Sequence, residues 1–120
     1  MPKQPSAPKK NPKKTPGQRP VRGSRTGRPI MALLDLLGRR WSLRILWELR
    51  QVTLTSRALR AACDEASPTV LQARLSELRQ AALIELIPGA GYRLTPLGRE
   101  LLETLLPLHH FAERWRKALN

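Results

Sequence analysis

The stretch SPTVLQARLSELRQ, residues 67–80, decides the fold of this chain. Ser67 followed by Pro68 is a typical helix start, with serine as the cap and proline at the first helical position. The apolar residues recur at helical spacing and predict one buried side: Val70, Leu71, Leu75 and Leu78. The other side is small and polar: Thr69, Gln72, Ala73, Ser76 and Arg79. A solvated helix face would normally carry more Glu and Lys, so this side is predicted to lie against a partner.

Three helices and one short extended segment are predicted before this helix. Residues 30–38 form a short apolar helix that Gly38 closes in the left-handed conformation. Residues 43–50 form a second helix, capped by Ser42 and apolar almost all round, which belongs in the middle of the core. QVTLT (51–55) predicts a short strand or extended turn, and a further helix follows with Thr55 or Ser56 as its cap.

The C-terminal part predicts a hairpin and a long helix. LIELI (83–87) and YRLT (92–95) read as short strands around the turn PGAG. Thr95-Pro96 opens the last helix, in which Pro107 is expected to cause a kink or a break. A near 3.5-residue period there indicates helix packing, within the chain or between subunits: Leu101, Leu105, Leu108, Ala112, Trp115 and Leu119. The predicted fold is mainly α with a small β-hairpin, a winged helix-turn-helix.

Residues 1–29 are predicted to be a disordered basic, Pro/Lys-rich tail. The chain carries 22 Lys and Arg against nine Asp and Glu, a net charge of +13. Nine of these basic residues and seven of the 11 prolines fall in residues 1–29, which contain no acid. Such a segment has too little apolar surface to offset the entropy of ordering it. The folded domain is therefore predicted to be residues 30–120, and the charge indicates nucleic acid or an anionic surface as the partner.

Three segments in order resemble the HxlR-type winged-helix regulators, relatives of the MarR superfamily. They are LLDLLGRRWSLRILWEL (33–49), SPTVLQARLSELRQAALIE (67–85) and YRLTPLGREL (92–101). They match the family patterns Gly-x-[Lys/Arg]-Trp-[Ser/Thr], Ser-Pro-x-x-Leu-x-x-Arg-Leu-x-x-Leu and Tyr-x-Leu-Thr-x-x-Gly. The resemblance covers about residues 30–118 and leaves the tail outside.

The resemblance implies a homodimeric prokaryotic transcription factor that binds double-stranded DNA. The first and last helices would form the dimer, and helix 67–81 would enter the major groove. Carried onto this sequence, the groove-facing positions are Ser67, Thr69, Gln72, Ala73 and Ser76. Arg93, in the second strand of the wing, is a candidate for the DNA backbone. Arg74 has two interpretations: it pairs within the domain, for example with Glu77 or Glu48, or it reaches a phosphate.

The chain departs from the family pattern at three places. The cysteine that many members have before the first helix is missing from TGRPIMA (26–32). Cys63 lies elsewhere, so a redox role is not inherited; it is either a small residue near a helix end or a sensing thiol. Ala82 replaces the usual glycine after the recognition helix, so that cap must be made another way. The wing tip PGAG is uncharged, and the basic tail is a candidate to enter a minor groove in its place.

No pattern of an enzyme, cofactor or metal site is visible. The sequence has no Gly-rich phosphate loop, HExxH motif or nucleophile elbow. One cysteine excludes an intrachain disulfide and a multi-cysteine zinc site. His109 and His110 are adjacent, so on a helix they point apart and do not form a clamp. No run of about 18 apolar residues predicts a membrane span.

Two tryptophans and two arginines within residues 39–47 are predicted to pack in the domain or to face solvent. Trp41 and Trp47 are expected to pack in the core. Arg39 and Arg40 are expected to be solvated, with contact to the DNA backbone as the alternative. The resemblance also implies a prokaryotic protein of the cytoplasm, associated with the nucleoid, and the lack of a predicted membrane span indicates that it is soluble.

The sequence favours a sequence-specific DNA-binding regulator, repressor-like, with the tail adding affinity that is independent of sequence. Two rivals stay open: a nucleoid-type architectural protein with little specificity, and a winged-helix protein-interaction module. A small-molecule effector is compatible with such a fold and is not identified by the residues. A specificity ratio near one would favour the architectural protein.

Overall fold

The computed structural model describes residues 27–120, in two units that end and begin at Arg39 and Arg40. The predicted tail lies outside the described residues except for its last three positions. The first unit contains helix α1, Pro29–Leu37, so the last residue of the predicted tail is the first of this helix. Arg39 pairs with Asp35 four residues earlier, at 3.0 Å, instead of being solvated.

The predicted left-handed cap at Gly38 is wrong. Gly38 has φ −78° and ψ −9°, a right-handed conformation, and its amide donates to the carbonyl of Leu34. Since the amide of Arg39 also donates to the carbonyl of Leu36, the helix continues as a tightened last turn. The left-handed residue comes later, at Trp41, with φ 76°.

The second unit, Arg40–Asn120, is a winged helix-turn-helix, as predicted. Its elements are α2 (Ser42–Glu48), α3 (Ser56–Ala62), α4 (Pro68–Gln80), β1 (Ile84–Ile87), β2 (Gly91–Leu94) and α5 (Pro96–Ala118). Helix α3 packs on α2 and α4, α4 contacts β1, and α5 lies against α2 and β2. The buried apolar residues of this unit form one core: Ile45, Leu46, Leu49, Leu59, Cys63, Ala66, Leu71, Leu75, Leu78, Leu83, Ile84, Tyr92 and Leu94.

The antiparallel strands β1 and β2 form the wing. Ile84 lies opposite Leu94 at its base, and Ile87 lies opposite Gly91 at its tip. The predicted strand in QVTLT is a single bridge, in which Leu54 and Tyr92 exchange two backbone hydrogen bonds of 2.7 and 2.9 Å. That bridge joins the segment before α3 to the wing.

The start of α2 differs from the prediction. Ser42 is its first residue and is fully buried, while the cap position is Trp41 with no side-chain hydrogen bond. The left-handed turn at Trp41 places Ser42 inside, so its hydroxyl cannot cap the helix. Among the described residues Ser42 Oγ has no hydrogen-bond partner.

Trp41 and Trp47 are half-buried, so the prediction that they pack in the core is wrong. Trp47 stacks on His109 of α5, with ring centroids 5.3 Å apart, and the Arg50 guanidinium lies 4.1 Å from the Trp47 ring centroid. Arg40 lies over Trp41 at 5.1 Å. Helix α2 is therefore not buried all round; Ile45, Leu46 and Leu49 face the core.

Helix α5 runs unbroken through Pro107, so the predicted break does not occur. Proline has no amide to offer the carbonyl four residues earlier, which here belongs to Glu103. Glu103 and Pro107 are both exposed, so water can satisfy that carbonyl. Within residues 27–120, no helix combines the length and the apolar character that crossing a bilayer requires.

Candidate DNA-binding surface

Helix α4 begins as its sequence predicts. The Ser67 side chain accepts a hydrogen bond from the amide of Val70 at 3.5 Å, and Pro68 is the first helical residue. Leu71, Leu75 and Leu78 are buried against the core, which fixes the side of the helix that faces inward. The helix predicted for residues 67–80 is thus present with its predicted start and with three of its four predicted buried residues; the fourth, Val70, is half-buried.

From Thr69 to Ser76, the outer side of α4 is exposed and carries no charged side chain. Thr69, Gln72, Ala73 and Ser76 are all exposed, and their spacing of three to four residues places them along one side. Ser67 lies at the N-terminal end of the same helix. A face of this kind lets the backbone of α4 approach a partner closely while offering hydroxyl and amide groups.

The C-terminal half of this face includes an arginine that the sequence-based site left out. Arg79 is exposed and lines a shallow groove together with Ser76 and Gln80. Gln80 Nε2 donates to Ser76 Oγ at 3.4 Å. The signal was present in the sequence, because Arg79 follows Ser76 by three residues and so shares its side of the helix.

Arg74 points into the domain instead of outward. Its Nη1 donates to Glu77 Oε1 at 2.6 Å and its Nε donates to the carbonyl oxygen of Arg40 at 3.1 Å. The side chain is 19% exposed. Glu48, the other partner considered from the sequence, binds Arg44 at 2.7 Å. The geometry therefore favours pairing within the domain.

Arg93 lies on the wing and already has an anionic partner. It faces Glu85 across the hairpin, and its Nε donates to Glu85 Oε2 at 2.8 Å. Both side chains are near half-exposed, so the pair is accessible. With an uncharged tip over residues 88–91, the wing has no net charge.

Two arginines hold the turn between α3 and α4, where Asp64 and Glu65 both have left-handed backbone, φ 55° and 57°. Arg60 pairs with Glu65 at 3.3 Å and its Nε donates to the carbonyl of Ala66 at 2.9 Å. These contacts hold a backbone shape that is unfavourable for non-glycine residues.

Arg44 of α2 supports the same turn from its other side. Its Nη2 donates to the Ala62 carbonyl at 2.5 Å and its Nη1 lies 3.6 Å from Asp64 Oδ2. The hydrogen bond to Glu48 raises the pKa of the Arg44 guanidinium. The turn itself, DEAS (64–67), is short and polar in sequence, but its contact with Arg44 is not visible there, because Arg44 lies 18 residues before Ala62.

Ala82 takes the left-handed conformation that a glycine would usually supply. Its φ is 63°, its amide donates to the carbonyl of Arg79, and the amide of Leu83 donates to the carbonyl of Leu78. This is the Schellman arrangement. The prediction that the cap must be made another way is wrong, since alanine makes the same cap and bears the strain.

The only cysteine, Cys63, is buried in the core at the end of α3. Burial raises the pKa of its thiol, against a weaker opposing effect of Arg44. Within residues 27–120, no three His, Cys, Asp or Glu side chains come together as a metal site.

Helix α5 exposes a row of large apolar side chains beyond its first turns. Of the predicted stripe, Leu101 and Leu105 are half-buried, whereas Leu108, Trp115 and Leu119 are 58%, 57% and 66% exposed. Helix α1 also exposes Ile30 and Leu34, each by more than half. Both helices thus carry apolar surface that this chain alone leaves open.

Comparison with known proteins agrees with this architecture. A profile of HxlR-like helix-turn-helix proteins matches residues 36–120. A Synechocystis protein described as an uncharacterised HTH-type transcriptional regulator is 31% identical over 93 aligned residues, covering 72% of this chain and 69% of that protein. These matches confirm the resemblance that the three sequence segments indicate.

Solved structures show the same fold. Quinone-bound YodB from Bacillus subtilis superimposes with a TM-score of 0.66 at 25% identity, covering 71% of this chain and 96% of that one. A transcription factor of Thermoplasma volcanium assigned to the HxlR family gives 0.64 at 25% identity, with 71% and 82% covered. A regulator of Enterococcus faecalis assigned to the MarR family gives 0.66 at 26% identity, with 82% and 94% covered.

Proposed function

This chain belongs to the HxlR-like family of helix-turn-helix transcriptional regulators, and on that premise we propose that it binds specific DNA sequences as a homodimer. In this proposal residues 30–120 are the DNA-binding and dimerisation domain, and residues 1–29 are a basic arm. The proposal includes a repressor-like action, in which a dimer bound across a promoter would exclude polymerase.

The observation that carries the proposal is the exposed, slim face of α4. A helix reads bases only where its backbone can lie deep in the major groove and its side chains can exchange hydrogen bonds there. Gln72 is suited to adenine, because its amide oxygen can accept a hydrogen bond from the base while its amide nitrogen donates one, and the Ala73 methyl is suited to the thymine methyl. Thr69 and Ser76 offer hydroxyls to base edges or phosphates.

The phosphate contacts come from the ends of this face. Ser67 lies at the N-terminus of α4, where free amides and the helix dipole favour an anion. Arg79 lies at the other end, and Arg57 is exposed on α3, the helix that crosses the backbone in this motif. Arg93 joins them only if a phosphate replaces Glu85 as its partner.

The dimer is supported by the apolar surface of α1 and α5. Trp115, Leu108 and Leu119 are more than half exposed, although large apolar side chains are usually buried. Their near 3.5-residue period suits packing against a second helix. A two-fold dimer presents two copies of α4, which matches two half-sites about one helical turn apart.

The tail adds affinity without adding sequence information. Nine cations and no acid in residues 1–29 favour phosphate contact over a merely solubilising role. If the tail neutralises about five phosphates, the plot of the logarithm of the DNA-binding constant against the logarithm of the salt concentration becomes steeper by about 4 to 5. The same net charge of +13 favours the second candidate function, an architectural DNA-binding protein in which the tail dominates.

One substitution directly tests the exposed face of α4 (Thr69, Gln72, Ala73 and Ser76), the proposed reading face. Replacing Gln72 by Ala should weaken binding to a selected duplex by about 1–3 kcal/mol and relax the preference at one base pair, while random duplex is bound as before. Gln51→Ala is the matched control, because Gln51 is exposed but lies on the loop before Leu54. Equal loss on both duplexes would contradict a base-reading role for Gln72.

A further inference from the structure

We propose that Arg74 is a positioning residue: it sets the rotation of α4 by tying this helix to the start of α2, and it does not bind phosphate. The inference deepens the proposed function, since the face it orients is the one assigned to base reading. Arg74 lies at the border of that face, between exposed Ala73 and buried Leu75.

The contacts of Arg74 join parts of the chain that are distant in sequence. Its Nε donates to the carbonyl of Arg40, 34 residues earlier, at 3.1 Å, and its Nη1 donates to Glu77 Oε1 at 2.6 Å. The hydrogen-bond ladder of α2 starts one residue later, where the amide of Ile45 donates to the carbonyl of Trp41. Arg74 thus binds the backbone at the point where α2 begins.

That point has an unusual backbone shape. Trp41 is left-handed, with φ 76°, and its cap position has no side-chain hydrogen bond. A bulky residue is rare in this conformation, so surrounding contacts must hold it. The hydrogen bond from Arg74 to the carbonyl oxygen of Arg40 is one such contact. Through it, the start of α2 fixes the position of α4.

The guanidinium is suited to this role and lysine is not. Its planar fork reaches a carbonyl and a carboxylate at the same time, whereas the ammonium of lysine is a point charge on a flexible stem. Leu71, Leu75 and Leu78 hold α4 against the core through apolar burial, which is non-directional. A contact at the border of the buried face resists rotation of α4 about its axis, which would displace Gln72 and Ser76.

The same geometry argues against a phosphate contact. Glu77 balances the charge of Arg74 at 2.6 Å, and the pair is largely shielded, with side-chain exposures of 19% and 27%. Reaching a phosphate would break two hydrogen bonds and leave the Glu77 carboxylate without Arg74 beside the DNA. The exposed Arg79, one turn further along, can reach the backbone without these losses.

Salt dependence separates the two roles. Arg74→Ala and Arg74→Lys are compared with wild type on a random duplex of about 30 bp, three helical turns. A positioning residue predicts that the log–log salt slope is unchanged in both variants. A phosphate contact predicts that Arg74→Ala lowers the slope by about 0.9 for each phosphate lost while Arg74→Lys keeps it. The second pattern would overturn the proposal.

Specificity gives the second readout. On a duplex selected by wild type from a random library, Arg74→Lys should lose roughly tenfold or more in affinity, the scale of one broken bidentate base contact. Random duplex should be bound as tightly as before. Ile45→Val, a mild change in the core of α2, controls for lost stability and should leave the ratio of the two affinities unchanged. An unchanged ratio in Arg74→Lys would overturn the proposal.

Hydrogen exchange tests the positioning without DNA. Arg74→Lys should speed amide exchange both in α4 and at residues 41–45, whereas unchanged exchange in both segments would contradict the inference. If wild type selects no preferred duplex, the proposed function fails, and the exchange and salt-slope results still decide the role of Arg74. The two failures are therefore distinguishable.

Discussion

Thr95 Oγ1 donates a 2.7 Å hydrogen bond to the carbonyl oxygen of Ala82. Thr95 Oγ1 also accepts a hydrogen bond from the amide of Gly98 at 3.0 Å and so caps α5. One hydroxyl thus joins the end of α4, proposed to read DNA, to the start of α5, proposed to form the dimer. The wing begins just after Ala82 and ends just before Thr95. The ends of α4, the wing and α5 are therefore held together at this hydroxyl.

The strain at Ala82 predicts a stabilising substitution. Left-handed backbone costs a non-glycine residue roughly 1–2 kcal/mol, and glycine gives back about 0.5–1 kcal/mol through its freer unfolded chain. Ala82→Gly should therefore raise the free energy of unfolding by about 0.5–1 kcal/mol. Urea unfolding at fixed protein concentration measures it, with Ala81→Gly as the control, since Ala81 has φ −83° and should lose stability. A decrease in Ala82→Gly would show that the cap is not strained.

Gly98 predicts the opposite result. A Cβ at this position would lie 2.1 Å from the carbonyl oxygen of Leu83, so α5 could not approach the chain after α4 as it does. Gly98→Ala should lower the free energy of unfolding by about 1–3 kcal/mol, the usual range for overpacking. Gly89→Ala is the comparison, because its Cβ would meet nothing within 4 Å and only its φ of 79° is unfavourable. An equal or smaller effect at Gly98 would contradict the close approach.

Cys63 should be unreactive in the folded protein. Burial raises its pKa, so less thiolate is present at neutral pH and the thiol is also shielded. A thiol whose folded pKa is raised contributes stability below its ordinary pKa of about 8.5, and this contribution is lost as the pH rises through the folded pKa.

Alkylation by iodoacetamide at pH 7.5 tests this. Labelling of wild type should follow unfolding, whereas Ala73→Cys adds an exposed thiol that is labelled at once. Fast labelling of wild-type Cys63 would support the rival interpretation as a sensing thiol.

The exposed row on α5 predicts a concentration-dependent dimer. Trp115→Ala should weaken dimerisation by about 2 kcal/mol, roughly 30-fold in Kd, because large aromatic residues dominate such interfaces. Glu113→Ala, a polar change on the same helix, should leave it unchanged. Sedimentation across a range of concentrations measures both, and a wild-type protein that stays monomeric would contradict this role of α5.

Local signals in the sequence predicted the elements that lie next to them. Ser67-Pro68 and Thr95-Pro96 are visible as helix starts, and the period of Leu71, Leu75 and Leu78 identifies the buried side of α4. The exposed reading face follows from that period, as does most of the proposed site.

The sequence was least informative where an unusual backbone conformation or a distant partner decides the outcome. The left-handed turn at Trp41 displaces Ser42 from its cap position. Arg74 had two interpretations, and its acceptor at Arg40 lies 34 residues earlier in the chain. Ala82 adopts a conformation that its residue type disfavours, because the buried Leu83 and the bond from Thr95 hold it there. The contacts from Arg74 to Arg40 and from Thr95 to Ala82 span 34 and 13 residues, so they cannot be read from the neighbouring sequence.

Sequence-specific binding as a dimer is tested on fragmented DNA of the source organism at about 150 mM salt, near the physiological range. Full-length chain is compared with a chain lacking residues 2–28, a deletion that leaves α1 complete. A sequence-specific dimer should give a few sharp binding sites with two-fold symmetric motifs, and these sites should persist when the tail is deleted. Diffuse binding that disappears with the tail would contradict this prediction and would make this an architectural protein.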